Sequence, residues 1–141
     1  MEEERGVIAL RSKRLPLKKE GLSKKERLSL NRDFKRVLAE GRKIWVDKYL
    51  LIIYCPNNLT YRRLGTIVSS KVGGAVERNK VKRILRTLFR KNKEFFPEKA
   101  DIIMIPHPAI KNLSYDELQK LVRNTLWSLT PYERHGQGSS S

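Results

Sequence analysis

Lys71-Val72-Gly73-Gly74-Ala75-Val76-Glu77-Arg78-Asn79-Lys80-Val81-Lys82-Arg83-Ile84-Leu85-Arg86-Thr87-Leu88-Phe89-Arg90-Lys91-Asn92-Lys93 decides how this chain folds and what it meets. Val81, Ile84, Leu85 and Leu88 recur at i, i+3, i+4 and i+7, which is one stripe of a 3.6-period helix. At 100° per residue, Asn79, Lys82, Arg83, Arg86 and Arg90 gather on the opposite side. The stretch holds nine Lys or Arg and one acid, a net of +8, half of the +16 of the whole chain. A charge run is ordinarily a solvated face. Here the charges are nearly all of one sign, lie opposite the apolar stripe, and are dominated by Arg on that face. Like charges at i, i+4 cost an isolated helix roughly 0.2–0.5 kcal/mol per pair. The planar Arg fork fits phosphate oxygens and stacks on bases. One face is suited to a core and the other to a polyanion.

Outward from this helix, Leu64-Gly65-Thr66-Ile67-Val68-Ser69 reads as a strand before it. Asp101-Ile102-Ile103-Met104-Ile105, stopped by Pro106 and Pro108, reads as a strand after it. The second is wholly apolar and suits the middle of a sheet with a helix over it, so strand, basic helix and strand form a βαβ unit. Gly73-Gly74 either hinges the chain into the helix or lets its N-terminal amides approach a phosphate. The spacing is not that of a P-loop. Upstream, Ile44 to Tyr54 is β-branched and aromatic with little polar alternation, which predicts one strand covered on both faces along part of its length. Pro56-Asn57-Asn58 turns it, and the Leu64–Ser69 strand is expected to run antiparallel to it. Ser23-Lys24-Lys25-Glu26 is a capping box, predicting a helix to Glu40 with Leu30, Phe34, Val37 and Leu38 on one face. Gly41 is expected in the left-handed C′ position. A second box, Ser114-Tyr115-Asp116-Glu117, opens a helix whose face is Leu118, Leu121, Val122, Leu126 and Leu129, ended by Pro131.

The 141 residues are read as a basic arm over 1–21, one folded domain over 22–130 and a tail over 131–141 that ends Gly136-Gln137-Gly138-Ser139-Ser140-Ser141. The arm carries Arg11, Lys13, Arg14, Lys18 and Lys19, and is either a solvated tail or a segment that orders on RNA. Residues 94–141 have a net charge of −1, so the anion-binding surface draws on the first two-thirds. A pI near 10.3 points to nucleic acid or an anionic membrane. No apolar run is long enough to span a bilayer, and Met1-Glu2-Glu3-Glu4 is unlike a signal peptide. The single Cys55 suits a reducing cytoplasm. Cys55, His107 and His135 form no metal-ligand cluster, and no catalytic constellation stands out. Asp101, Asp116 and Glu117 sit at element starts, where capping explains them. No protein-borne metal site, no catalytic residue and no protein partner are expected.

Arg78-Asn79-Lys80-Val81-Lys82-Arg83-Ile84-Leu85-Arg86, with Gly73 and Ala75-Val76 before it, resembles the signature of the bacterial ribonuclease P protein family. Further matches are Arg27-Leu28, Asp33-Phe34, Gly41, Arg63-Leu64-Gly65 and Asp101-Ile102-Ile103, and together the similarity covers about residues 22–130. It implies an α+β, ribosomal-protein-like sandwich in the order α-β-β-α-β-α. It also implies a left-handed βαβ crossover, where general experience of such units favours the right hand. The implied function is that of the protein subunit of an endoribonuclease. A large RNA subunit holds the active site and uses Mg²⁺ to hydrolyse the phosphodiester that frees the tRNA 5′ end.

By the same resemblance, Lys71, Arg78, Asn79, Lys82, Arg83 and Arg86 contact the catalytic RNA, with Arg90 further along the same helix face. A cleft between the first helix and the sheet holds the single-stranded 5′ leader of precursor tRNA. Phe34 matches one of its aromatics, while Leu38 and Ile52 stand where some members have rings, and Tyr54, on the strand face of Ile52, is expected to supply one. Ser70 replaces a Lys common in the family. The rival class is a ribosomal or general RNA-binding module using the same basic face. No helix-turn-helix spacing precedes the basic helix, which disfavours DNA, and a protein-only nuclease would need a carboxylate cluster.

Overall fold

The computed structural model describes residues 22–128. The arm over 1–21 and the tail over 131–141, with Leu129, Pro131 and His135, lie outside the described residues. The elements run α1 (Asn31–Glu40), β1 (Arg42–Val46), β2 (Leu50–Pro56), β3 (Arg63–Thr66), α2 (Ala75–Lys91), β4 (Ala100–Pro106) and α3 (Tyr115–Trp127). Short 3-10 turns lie at Lys24–Glu26, Lys93–Phe95 and Pro108–Asn112.

The α+β class holds, with one strand more than the expected order. Ile44–Tyr54 is not one strand but a hairpin. It breaks at Asp47, which takes a left-handed φ of 52° that Asp tolerates better than most side chains, and the Tyr49 amide closes on Val46 O at 3.0 Å. The four strands lie in the order β1-β2-β4-β3. β3 is therefore not the antiparallel partner of β2. It runs parallel to β4, with Leu64 beside Ile102 and Gly65 beside Ile103, while β4 pairs antiparallel with β2. The reason is composition: β4 is apolar on both faces and nearly all buried, so it takes an inner place, and four-residue β3 goes to the edge. β3, α2 and β4 form the expected βαβ unit on adjacent strands.

The sheet has a helix layer on each face. On one, Val81, Ile84, Leu85 and Leu88 of α2 and Leu118, Val122 and Leu126 of α3 cover Val46, Leu50, Ile52, Ile102 and Met104. The apolar stripe read from the sequence is the buried one, extended by Thr87 and Phe89. Phe89 packs on Phe96 with ring centroids 5.2 Å apart and planes tilted 58°, a geometry that contributes roughly 0.5–1.5 kcal/mol beyond area burial. The second capping box forms as expected, with Ser114 Oγ accepting from the Glu117 amide (3.1 Å) and Glu117 Oε1 from the Ser114 amide (2.9 Å).

α1 covers the other face, where Val37 is fully buried against Leu28, Ile53, Cys55 and Ile103. The helix does not begin at Ser23. Glu26 Oε1 accepts from the Ser23 amide at 3.3 Å, but the pair closes only a 3-10 turn. The chain then goes extended, Arg27 bridges Leu64, and the Leu28 amide donates to Leu64 O at 2.9 Å. A backbone bond to the sheet edge and burial of Leu28 outweigh local helix propensity there. Gly41 is not left-handed either; it is extended at φ −74°, ψ 159°. Glycine is needed there for space. A Cβ would lie 2.5 Å from Val37 O and 2.6 Å from Ile53 Cγ2, where the helix end meets β2.

Gly65 is a second close approach. A Cβ on it would come within 2.5 Å of the Phe34 ring. Gly65→Ala is expected to lower stability by about 1–3 kcal/mol through overpacking. The urea midpoint reads this directly, and an unchanged midpoint would mean the ring moves aside without cost.

Candidate nucleic-acid interface

α2 begins at Ala75 after an extended Gly74 at its N-cap, and its outer face carries the cations. Lys71, Asn79 and Arg83 are exposed, while Arg78, Lys82 and Arg86 are half-buried. Gly73 has a φ of +154°, and a Cβ there would collide with Glu77, so its glycine answers to backbone geometry. Arg78 Nη1 donates to Gly73 O at 3.2 Å, which ties the first turn to its entry loop. Glu77, the one acid of the stretch, pairs with Lys111 Nζ at 3.1 Å. Its charge is thereby turned away from the arginines.

The bridge between Arg27 and Leu64 sets Arg27 beside this face. Burial holds the Arg86 guanidinium below its usual pKa, and the nearby charges of Arg27 and Arg83 add to the effect. Among the described residues none of these three pairs with an acid. Three like charges held together without a counter-ion are a ready site for phosphate. Arg90 differs: it is half-buried at the far end of the helix, close enough to Tyr115 for its charge to favour the phenolate, although burial raises the phenol pKa overall.

Other cations serve the fold. Asp101 is not at a helix cap; its side chain is fully buried within β4. Oδ1 accepts from Asn57 Nδ2 and Arg63 Nε, both at 2.8 Å. Oδ2 accepts from Arg63 Nη2 at 2.8 Å and from Arg36 Nη2. Asp33 adds a contact to Arg63 at 3.4 Å. This clamp ties α1, β3 and the turn after β2 to β4. Asp33 and Glu40 also line a groove of about 600 Å³ along that flank of α1 together with Arg32, Arg36 and Arg63, and Arg36 and Arg63 are already engaged by Asp101. His107 is likewise structural, its Nδ1 accepting from the Ala109 amide at 3.0 Å.

The opposite flank of α1 carries Phe34 and Leu38. Register sets the floor beside them. Trp45 pairs with Leu51, Leu51 with Ile105, and the Ile67 amide bonds Met104 O at 3.0 Å, so Trp45, Leu51, Ile105 and Ile67 form one row across β1, β2, β4 and the residue that follows β3. Leu51, Ile67 and Ile105 are only partly buried, and Leu38 and Trp45 are 37% and 56% exposed. Row and flank make an open apolar channel. The loop from Ile67 leads to Lys71 and the start of α2, so cations stand at one end of it. Ile52 and Tyr54 are not part of the channel. Both point to the other face of the sheet, Ile52 fully buried and Tyr54 packed against the α2–α3 core.

Comparison with known proteins agrees with this architecture. The family model described as Ribonuclease P matches residues 22–130. The chain belongs to the ribonuclease P protein family. The ribonuclease P protein component of Petrotoga mobilis is 42% identical over 108 residues, spanning 71% of this chain and 91% of that protein. The solved ribonuclease P protein of Thermotoga maritima superposes with a TM-score of 0.64 at 34% identity, covering 72% of this chain and 94% of that one. The Staphylococcus aureus ribonuclease P protein gives 0.64 at 31%, covering 72% and 93%.

Against this membership, Arg78, Asn79, Lys82, Arg83 and Arg86 lie together on the outer side of α2, and Phe34 and Leu38 lie together on α1. Sequence reasoning missed Arg27 as a member of the basic cluster, because a residue 59 positions before Arg86 joins it only through the sheet edge. It also missed Trp45, Leu51, Ile67 and Ile105. The available signal was parity: Trp45 alternates with buried Val46 and inward-facing Ile44.

Proposed function

We propose that this protein is an RNA-binding accessory subunit that docks the catalytic RNA of ribonuclease P on the outer face of α2 and holds the 5′ leader of precursor tRNA in the α1 channel. The observation that carries this reading is that one sheet has, beside one face, an arginine cluster with no acid partner among the described residues and, on the other, an open apolar channel. Phosphates meet Arg27, Arg83 and Arg86. Unpaired bases meet Phe34, Leu38, Leu51 and Ile105. Base–aromatic stacking contributes about 1–3 kcal/mol per base.

The chemistry belongs to the RNA in this proposal. The chain supplies no nucleophile and no general base. Its residues bind and orient two RNAs and lower the repulsion between them. The family resemblance implies Mg²⁺, but among the described residues no group of three or more His, Cys, Asp or Glu side chains stands as a metal site needs. The residues do not fit a protein-held ion, and Mg²⁺ is assigned to the RNA subunit. No helix among the described residues is long and apolar enough to cross a membrane, and the cytoplasm is the proposed compartment.

The test is an Mg²⁺ titration of precursor cleavage by the catalytic RNA, with and without this protein. The protein is expected to lower the Mg²⁺ needed by several-fold. In the same assay Phe34→Ala should weaken precursor binding about tenfold and leave mature tRNA unchanged. An unaltered Mg²⁺ requirement removes the assignment, whereas equal losses for both tRNAs reduce Phe34 to a core residue.

A further inference from the structure

We propose that Trp45 is a base-stacking residue at the distal end of the leader channel, so that leader affinity depends on whether the strand is long enough to reach it. This rests on the leader reading above and extends it to one residue and one nucleotide position.

Trp45 ends the row that begins at Ile67. β3 and β1 are the two edges of the sheet, and three strand spacings put these ends about 14 Å apart. The cations of Lys71 and α2 stand at the Ile67 end. A strand entering from there crosses Ile105 and Leu51 before it meets the indole. Trp45 is more than half exposed on an edge strand, an arrangement that invites non-specific pairing unless a partner covers it.

Charge selects the partner. Lys43, exposed and two residues before Trp45, projects on the same face of β1. The hairpin Arg42–Lys48 holds three basic residues and one acid, Asp47, a net of +2. An indole flanked by lysine and continuous with an apolar floor suits an unpaired base with its phosphate. The indole offers a flat face and the ammonium a point charge, so the contact is tolerant of base identity and sensitive to reach.

The experiment uses the holoenzyme, reconstituted with wild-type protein, Trp45→Ala, Trp45→Phe or Phe34→Ala, and precursor tRNAs whose leaders grow from about two to eight nucleotides, a range chosen to bracket a channel roughly 14 Å long. Wild-type affinity is expected to rise with leader length in steps. Trp45→Ala should abolish the last step, a loss on the order of tenfold for long leaders and none for the shortest. Trp45→Phe should restore most of it. The proposal is overturned if Trp45→Ala affects all lengths equally, or none, while Phe34→Ala still separates leader from no leader. If wild-type affinity does not rise with leader length, the leader reading itself fails, whereas Phe34→Ala being blind to the leader removes Phe34 alone from it.

Discussion

Replacing Asp101 with alanine is expected to cost about 3 kcal/mol of folding stability. That is the low end of the range for breaking a buried ion pair. The low end applies because Arg63 and Arg36 keep some water access, their side chains being 19% and 30% exposed. The loss comes from stranding them, together with Asn57, rather than from the net strength of the pair. pH gives a sharper signature. Burial pushes the Asp101 pKa up, but hydrogen bonds from Arg63, Asn57 and Arg36 and the Arg63 charge hold it below the ordinary value. A depressed carboxylate contributes stability that is complete above its unfolded pKa and is lost as pH falls through the folded one. The wild-type urea midpoint should therefore decline below about pH 4. Asp101→Asn should be less stable at neutral pH and flatter on the acid side. Parallel acid limbs in the two proteins would show that the carboxylate does not anchor α1. Because α1 carries Phe34, the same variant should weaken leader binding more than RNA docking.

The second large effect is expected from removing Arg27, Arg83 and Arg86 together as alanines. Affinity for the catalytic RNA should fall by about a thousandfold or more near physiological salt, since each charge-assisted bond contributes about 1.5–3 kcal/mol. The log–log salt dependence should flatten by roughly two units, 0.7–0.9 for each phosphate released. The free protein should behave in the opposite sense. Burial and the neighbouring arginines already depress the Arg86 pKa, so removing like charges should leave the melting temperature unchanged or raise it. A lower melting temperature with an unchanged salt slope would falsify the docking role. Arg36 and Arg63 make the internal contrast: their loss should destabilise the protein with little change in salt slope.

These two clusters look alike in the sequence. Both are arginines near apolar residues, and the acids Asp101 and Asp33 tell them apart. At the start of β4 the Asp101 carboxylate reads as a capping group. In the folded chain it lies between β2 and β3, where Asn57 and Arg63 converge with Arg36 of α1. Arg36 is 65 residues away from Asp101, and no local pattern predicts that meeting.

α2 and α3 were legible because their signal is local, whereas the Ser23 box closed only a 3-10 turn and α1 begins at Asn31. The stripe of Val81, Ile84, Leu85 and Leu88 was readable from period alone, and the charge opposite it follows from the same period. Ser114 and Glu117 cap α3 by a four-residue rule. The strand faces were not legible. Leu50 to Cys55 is apolar at every position, so alternation carries no information about which side faces α1. A shift of one residue exchanges the two faces, and the register that fixes it belongs to the partner strands. That is why Ile52 and Tyr54 were expected in the channel and Leu51, with Trp45 beside it, lies there. Sequence by itself determined a basic α2 with an apolar back, the βαβ unit around it and the kind of partner it suits. Tertiary structure alone decided which arginines pair with an acid among the described residues and which side chains line the channel, because ion pairing and strand register depend on residues distant in the chain.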